Sequence, residues 1–252
     1  MKDLSGKTVI VVGASRGLGH GIAVSFREAG AHVVAVARTE TQFPVVTGKA
    51  GAIRTERADA GDAAVAARLL SEHRPDFVVL VAGATPHMAP LQQQTWESFS
   101  VNWQTDVRVA FHWLREILLN PLKPGSRVVV ISSGAAVGGS PLSGGYAGAK
   151  ATQRFLTGYA QDEAKRAHLG ITFTAILPRF SPQTGVGGPA VAAYAARAGQ
   201  SREEYLRSFV QSAGPLVTPE IAGTALVDLL AEDAANLSSA YLLSGDGLKK
   251  LP

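Results

Sequence analysis

Val9-Ile10-Val11-Val12-Gly13-Ala14-Ser15-Arg16-Gly17-Leu18-Gly19 carries a short apolar stretch through a glycine turn into an apolar helix. A strand, a glycine turn and a helix in that order build a cradle for phosphate. Gly13 permits the tight turn, while Gly17 and Gly19 let backbone come close to a pyrophosphate and let the helix pack on the strand. The unpaired N–H groups at the helix start then face the anion. The spacing is G-x-x-x-G-x-G, and an ordinary strand-to-helix turn is the plain alternative.

Working outward, near-continuous apolar runs recur at Thr8–Val12, His32–Ala37, Phe77–Val81, Arg127–Ser132 and Ile171–Leu177. Such runs suit strands covered on both faces, as in a parallel sheet. Weaker runs at Ile53–Arg57 and Ala240–Leu243 complete it. Between them, helical patterns span Leu18–Ala29, Ala63–Ser71, Trp96–Leu119, Tyr146–His168 and Pro219–Ala231. Alternation of this kind predicts an α/β fold: one Rossmann-like, doubly wound domain over residues 1–252, with about seven parallel strands flanked by helices. Ser181 to Gly214 breaks the alternation with Gly-, Pro- and Ala-rich pieces and is expected to form a substrate lid.

The 252 residues are 46% apolar and 17% charged, enough to bury a core and unlike the composition of disorder. A net charge of +4 without a basic stripe makes nucleic acid an unexpected partner. The absence of cysteine excludes disulfides, thiolate nucleophiles and cysteine metal sites, and fits a cytoplasmic protein. No apolar stretch reaches membrane-spanning length. The six histidines show no metal-binding spacing, so no metal is expected. Trp96, Trp103 and Trp113 lie on one helical pattern and are assigned to core or interface packing.

Gly13-Ala14-Ser15-Arg16-Gly17 also spells G-x-S-x-G, the nucleophile elbow of serine esterases of the α/β-hydrolase type. That reading needs an oxyanion loop upstream and a late histidine after an acid. The residues before Gly13 hold no H-G-G-G-like loop, and the last histidine, His168, follows no suitable acid.

The end of the second strand speaks to the ligand. A dinucleotide site selecting a 2'-hydroxyl usually carries an acid there, whereas an arginine accommodates a 2'-phosphate. This chain offers Arg38 followed by Thr39, and Arg16 within the glycine turn can add a second guanidinium. NADP(H) is the expected cofactor.

Tyr146-Ala147-Gly148-Ala149-Lys150 places a phenol and an ammonium on one face at the start of a helix. A free phenol is a poor acid or base near neutrality, but an adjacent cation favours its phenolate. Ser133 follows the strand ending at Ser132, at the carboxyl edge where open α/β sheets bind ligands, and could hold a carbonyl oxygen. Singly, such residues are surface decoration or caps. Together with the glycine turn and Asn102 in Ser100-Val101-Asn102, in this order, they resemble the short-chain dehydrogenase/reductase family over essentially the whole chain.

The resemblance implies Tyr146 as general acid/base and Ser133 as the residue orienting the carbonyl. Lys150 would hold the nicotinamide ribose and lower the tyrosine's pKa, and Asn102 would position a water in the proton relay. It also implies cofactor contacts from Gly13, Ser15, Arg16, Gly17, Leu18, Gly19, Arg38, Thr39, Asp59, Ala82, Gly83, Tyr146, Lys150, Pro178 and Ser181. Substrate contacts are expected from Ala135, His87, Arg179, Phe180 and Tyr194.

Five places depart from the family's pattern, one of them Gln183, followed by Thr184, where the family has a threonine five positions after the proline at 178. Val12 stands where a threonine commonly precedes the first glycine, and Leu80-Val81 replace the two asparagines before Ala82-Gly83. Pro178 is followed by Arg179 instead of glycine, and Asp246-Gly247-Leu248 matches only part of the usual ending. Arg179 adds bulk and charge and is a candidate to meet an acidic substrate.

The expected function is NADP(H)-dependent interconversion of a small-molecule ketone or aldehyde with its alcohol. Homotetramer assembly is expected, with a dimer next. A non-catalytic NADP-binding regulatory or scaffold protein on the same fold is the second reading, and the esterase the third.

Overall fold

The computed structural model describes residues 2–44 and 51–251. The first unit is strand β1 (Thr8–Val12), helix α1 (Gly17–Glu28) and strand β2 (His32–Ala37), followed by β3 (Ile53–Arg57), α2 (Ala63–His73) and β4 (Phe77–Leu80). Helix α3 (Trp96–Asn102) continues through a π-turn at Trp103–Val107 into α4 (Arg108–Leu119), which leads to β5 (Arg127–Ile131). Then come α5 (Ala135–Gly138), α6 (Gly144–Arg166), β6 (Thr172–Pro178), α7 (Gly187–Ala198), α8 (Arg202–Ala213), α9 (Pro219–Leu230), β7 (Ala240–Ser244) and β8 (Gly247–Leu251).

The strands form one sheet in the order β3-β2-β1-β4-β5-β6-β7-β8. Every pairing is parallel except β7 with β8, which is antiparallel and joined by the two residues Gly245-Asp246. The sheet therefore has eight strands where about seven parallel ones are expected from sequence. The eighth is Gly-Leu-Lys-Lys-Leu, an edge strand whose two lysines are exposed, so it lacks the continuous apolar run of a covered strand.

Period-two alternation sorts the strand side chains into two cores. Val9, Val11 and Val129 face α1 and α9, packing with Ile22, Phe26, Leu226 and Leu230. Ile10, Val12 and Val130 face α2, α4 and α6, packing with Leu69, Trp113 and Ile117. Each such aliphatic side chain contributes about 1.5–3 kcal/mol by leaving water. Trp113 is fully buried and donates its indole N–H to the Ala60 carbonyl at 3.1 Å, whereas Trp96 and Trp103 are exposed.

The chain runs outward from β1 to β3 on one side and resumes at β4 on the other. The strand order thus reverses between β1 and β4, which opens a crevice at their carboxyl ends. No helix among the described residues is long and apolar enough to cross a membrane.

Candidate active site

A cavity of about 970 Å³ occupies that crevice, lined from the ends of β1, β2, β4, β5 and β6 and closed on its far side by residues of α7 and α8. Every residue expected at the site lines it except Asn102 and His87. His87 is exposed on the loop between two lining residues, Pro86 and Met88.

The glycine turn forms one wall. Gly13 has φ +94°, and a Cβ there would lie 2.6 Å from the backbone of Ala82, so the turn after β1 and the turn after β4 touch through the missing side chain. A Cβ at Gly19 would lie 2.1 Å from the Gly13 carbonyl. Arg16 is the N-cap of α1, with no side-chain cap and no acid in the first turn. The N–H groups of that turn are left for an anion, which fits a pyrophosphate group.

Arg16 and Arg38 are both exposed at this end. The Arg16 guanidinium runs alongside Gly185 from the segment before α7. The Asp59 carboxylate accepts from the Gly61 N–H at 2.9 Å and stands 4.0 Å from Arg108.

Ser133, Tyr146 and Lys150 line the same cavity. Ser133 Oγ accepts from the Ala135 N–H at 3.2 Å. Lys150 Nζ sits 5.6 Å from the centre of the Tyr146 ring. Its ammonium donates to Gln153 Oε1 at 2.9 Å and to the Ile131 carbonyl at 3.2 Å, and Asp106 Oδ2 lies 3.1 Å away as an ion pair without hydrogen-bond alignment.

Asp106 is the member of this group that sequence reasoning missed. Asn102, expected to serve the relay, sits one helical turn before it, buried, with Nδ2 on the Ala84 carbonyl at 2.8 Å and on Asp106 Oδ1 at 3.3 Å. Asp106 therefore stands between Asn102 and the cavity. The available signal was an acid one helical turn after Asn102, on the same helical pattern.

The substrate end is aromatic. Phe180 packs against Phe209 with ring centres 4.9 Å apart, and Tyr194 stacks on Tyr205 at 6.3 Å. Burial, with Tyr194 adding to it, pushes the Tyr205 phenol above its ordinary pKa. Arg179 lines the cavity with its guanidinium donating to the Ala213 carbonyl at the end of α8, a position where a cation suits the helix dipole. Ser181 is tied inward, its hydroxyl donating to the Val217 carbonyl at 2.7 Å.

Ser15 lines the cavity as well, but among the described residues no histidine does, so the elbow lacks the base that would activate it.

Residues 7–195 match the family model described as short chain dehydrogenase. The chain is 31% identical over 194 residues to the hydroxynaphthalene reductase-like protein Arp2 of Metarhizium majus, covering 70% of this chain and 69% of that one. It is 34% identical over 142 residues to 2,3-dihydro-2,3-dihydroxybenzoate dehydrogenase of Escherichia coli, covering 53% and 54%. Among solved structures it is similar to one from Beutenbergia cavernae described as an NAD(P)-dependent gluconate 5-dehydrogenase with NADP bound at low occupancy. There the identity is 26%, the coverage 96% of each chain and the TM-score 0.76.

Proposed function

The chain belongs to the short-chain dehydrogenase family, and from that premise we propose that it is an NADP(H)-dependent oxidoreductase interconverting a ketone or aldehyde with an alcohol. One observation carries this reading: a single cavity is lined both by an uncapped, glycine-rich helix start and by Ser133, Tyr146 and Lys150. A phosphate cradle joined to a proton-transfer group is what cofactor-borne redox chemistry requires of a protein.

A nicotinamide cofactor bound here supplies or accepts the hydride. The Gly13–Gly19 turn holds its pyrophosphate, and Arg16 and Arg38 meet a 2'-phosphate with forked donors. Tyr146 gives a proton to the carbonyl oxygen, or takes it from the alcohol, at its own hydroxyl oxygen. Ser133 Oγ holds that same oxygen, and the Lys150 ammonium favours the phenolate form. The aromatic wall of Phe180, Tyr194, Tyr205 and Phe209 suits a medium-sized apolar substrate. His87, exposed beside the cavity, is retained as a contact for a longer one.

Phe111 on α4 and Phe155 and Tyr159 on α6 are exposed large apolar side chains. This supports self-association through these helices, into a homotetramer or else a dimer. The cysteine-free composition supports a cytoplasmic setting.

The test is a titration with NADPH and with NADH, followed by nicotinamide fluorescence. NADPH is expected to bind 10- to 100-fold more tightly, with the preference lost in Arg38→Asp, since a charge-assisted contact is worth about 1.5–3 kcal/mol. Tyr146→Phe is expected to bind NADPH normally and turn over no carbonyl compound. Binding without turnover by the unmodified chain favours the regulatory reading, and binding of neither cofactor overturns the proposal.

A further inference from the structure

A carboxylate is buried behind the proposed catalytic pair. The Asp106 side chain is 1% exposed and that of Lys150 6% exposed. The π-turn at Trp103–Val107 carries Asp106 to this position, and two donors fix one carboxylate oxygen: Oδ1 accepts from the Ala84 N–H at 2.8 Å and from Asn102 Nδ2 at 3.3 Å. The other oxygen faces Lys150. Gly83 keeps the space open, because a Cβ there would sit 2.7 Å from Asp106 Oδ2.

The Lys150 ammonium donates to the Ile131 carbonyl and to Gln153, and Asp106 stands beside it as the charged member of the three. The groups facing the pair come from several elements. Helix α6 presents Tyr146 and Gln153, β5 the Ile131 carbonyl, the segment after β4 the Ala84 amide, and α3 Asn102. Of these only Tyr146 titrates. Arg108, two residues after Asp106, turns to Asp59 instead.

Resting on the oxidoreductase reading above, we propose that Asp106 is a positioning residue that sets the pH at which Tyr146 exchanges its proton. A lone buried ammonium beside a phenol draws it towards phenolate. Here the buried carboxylate offsets that charge, so Tyr146 keeps its proton to higher pH than Lys150 alone would allow. The pair also holds the lysine in place, since a buried cation stripped of its anion is costly. The consequence is directional: near neutrality the phenol is ready to donate, which favours carbonyl reduction, and alcohol oxidation is confined to more alkaline solution.

Two readouts test this with Asp106→Asn, which keeps the shape and removes the charge. In cofactor-free protein, the phenolate absorbance belonging to Tyr146, isolated by subtracting the same titration of a Tyr146→Phe background, is expected to rise about one pH unit lower than in the unmodified chain. This needs neither substrate nor cofactor, so its outcome is separable from failure of the oxidoreductase reading. In turnover, the acidic limb of alcohol oxidation with NADP+ is expected to move down by the same amount.

A purely structural role for Asp106 would lower the melting temperature and move neither curve. Curves that stay put, or move to higher pH, overturn the proposal. If Asp106→Asn does not fold, Asp106→Glu retains the charge and is expected to leave both curves within about 0.3 pH unit of the unmodified chain. A displacement of a full unit overturns the proposal there too.

Discussion

The Tyr194 hydroxyl on α7 lies 2.7 Å from Ser140 Oγ, which in turn lies 2.7 Å from Ser143 Oγ at the entry to the helix bearing Tyr146 and Lys150. The Leu142 N–H donates to the same hydroxyl at 3.2 Å. One phenol therefore fastens the outer helices to the loop that delivers the proposed acid/base.

Tyr194→Phe keeps the ring stacked on Tyr205 and removes both hydrogen bonds. At about 1 kcal/mol for each bond, the KM for a carbonyl substrate is expected to rise roughly 5- to 30-fold with kcat within about twofold. Steady-state kinetics check it. A fall in kcat at constant KM would mean that the hydroxyl takes part in the chemistry instead.

Gly13→Ala must place a methyl group 2.6 Å from the Ala82 backbone and adopt a φ of +94°. The expected cost is about 2–4 kcal/mol of stability. NADPH affinity is expected to fall with it, because the displaced turn is the one that cradles phosphate. Urea melts and fluorescence titration on one preparation read both effects.

Asp76 ties the amino end of the sheet together. It pairs with Lys123 at 2.8 Å and Lys7 at 3.3 Å and accepts from the Thr8 N–H at 2.9 Å. Burial raises its pKa, but the bonds from Lys123, Thr8 and Lys7 outweigh that and hold the carboxyl below its ordinary value. A carboxyl depressed on folding adds stability above its unfolded value, about pH 4, and loses it as pH falls through the folded value. Asp76→Asn is expected to be less stable by about 1–3 kcal/mol at pH 7. The gap to the unmodified chain should close in acid below about pH 4. Thermal melts across pH 3 to 7 would show a constant gap if the ion pairs contribute nothing.

Much of this architecture is legible in the residues. β1 and β2 fall where the apolar runs place them, because strands covered on both faces leave uninterrupted Val- and Ala-rich segments. The break within Trp96–Leu119 is not legible, since a π-turn inserts a single residue and barely disturbs the apolar period. Asp106 stayed hidden for a related reason. An acid within a helical pattern reads as an exposed residue, and only the turn's geometry and the distant Lys150 make it internal. Arg179 was legible as unusual, but its attachment to Ala213 depends on where α8 ends, which lies 34 positions away.

Because Val9 pairs with Phe77 and Val12 with Leu80, the cleft takes shape only once two distant stretches of chain have met, while β1, α1 and β2 are local partners. Long-range parallel pairing is slow to form. During refolding the glycine turn thus exists for a time without Ala82 against it, and a ligand that needs the finished cleft finds nothing to hold. Such a ligand acts on the completed structure: it slows unfolding and leaves the folding rate unchanged.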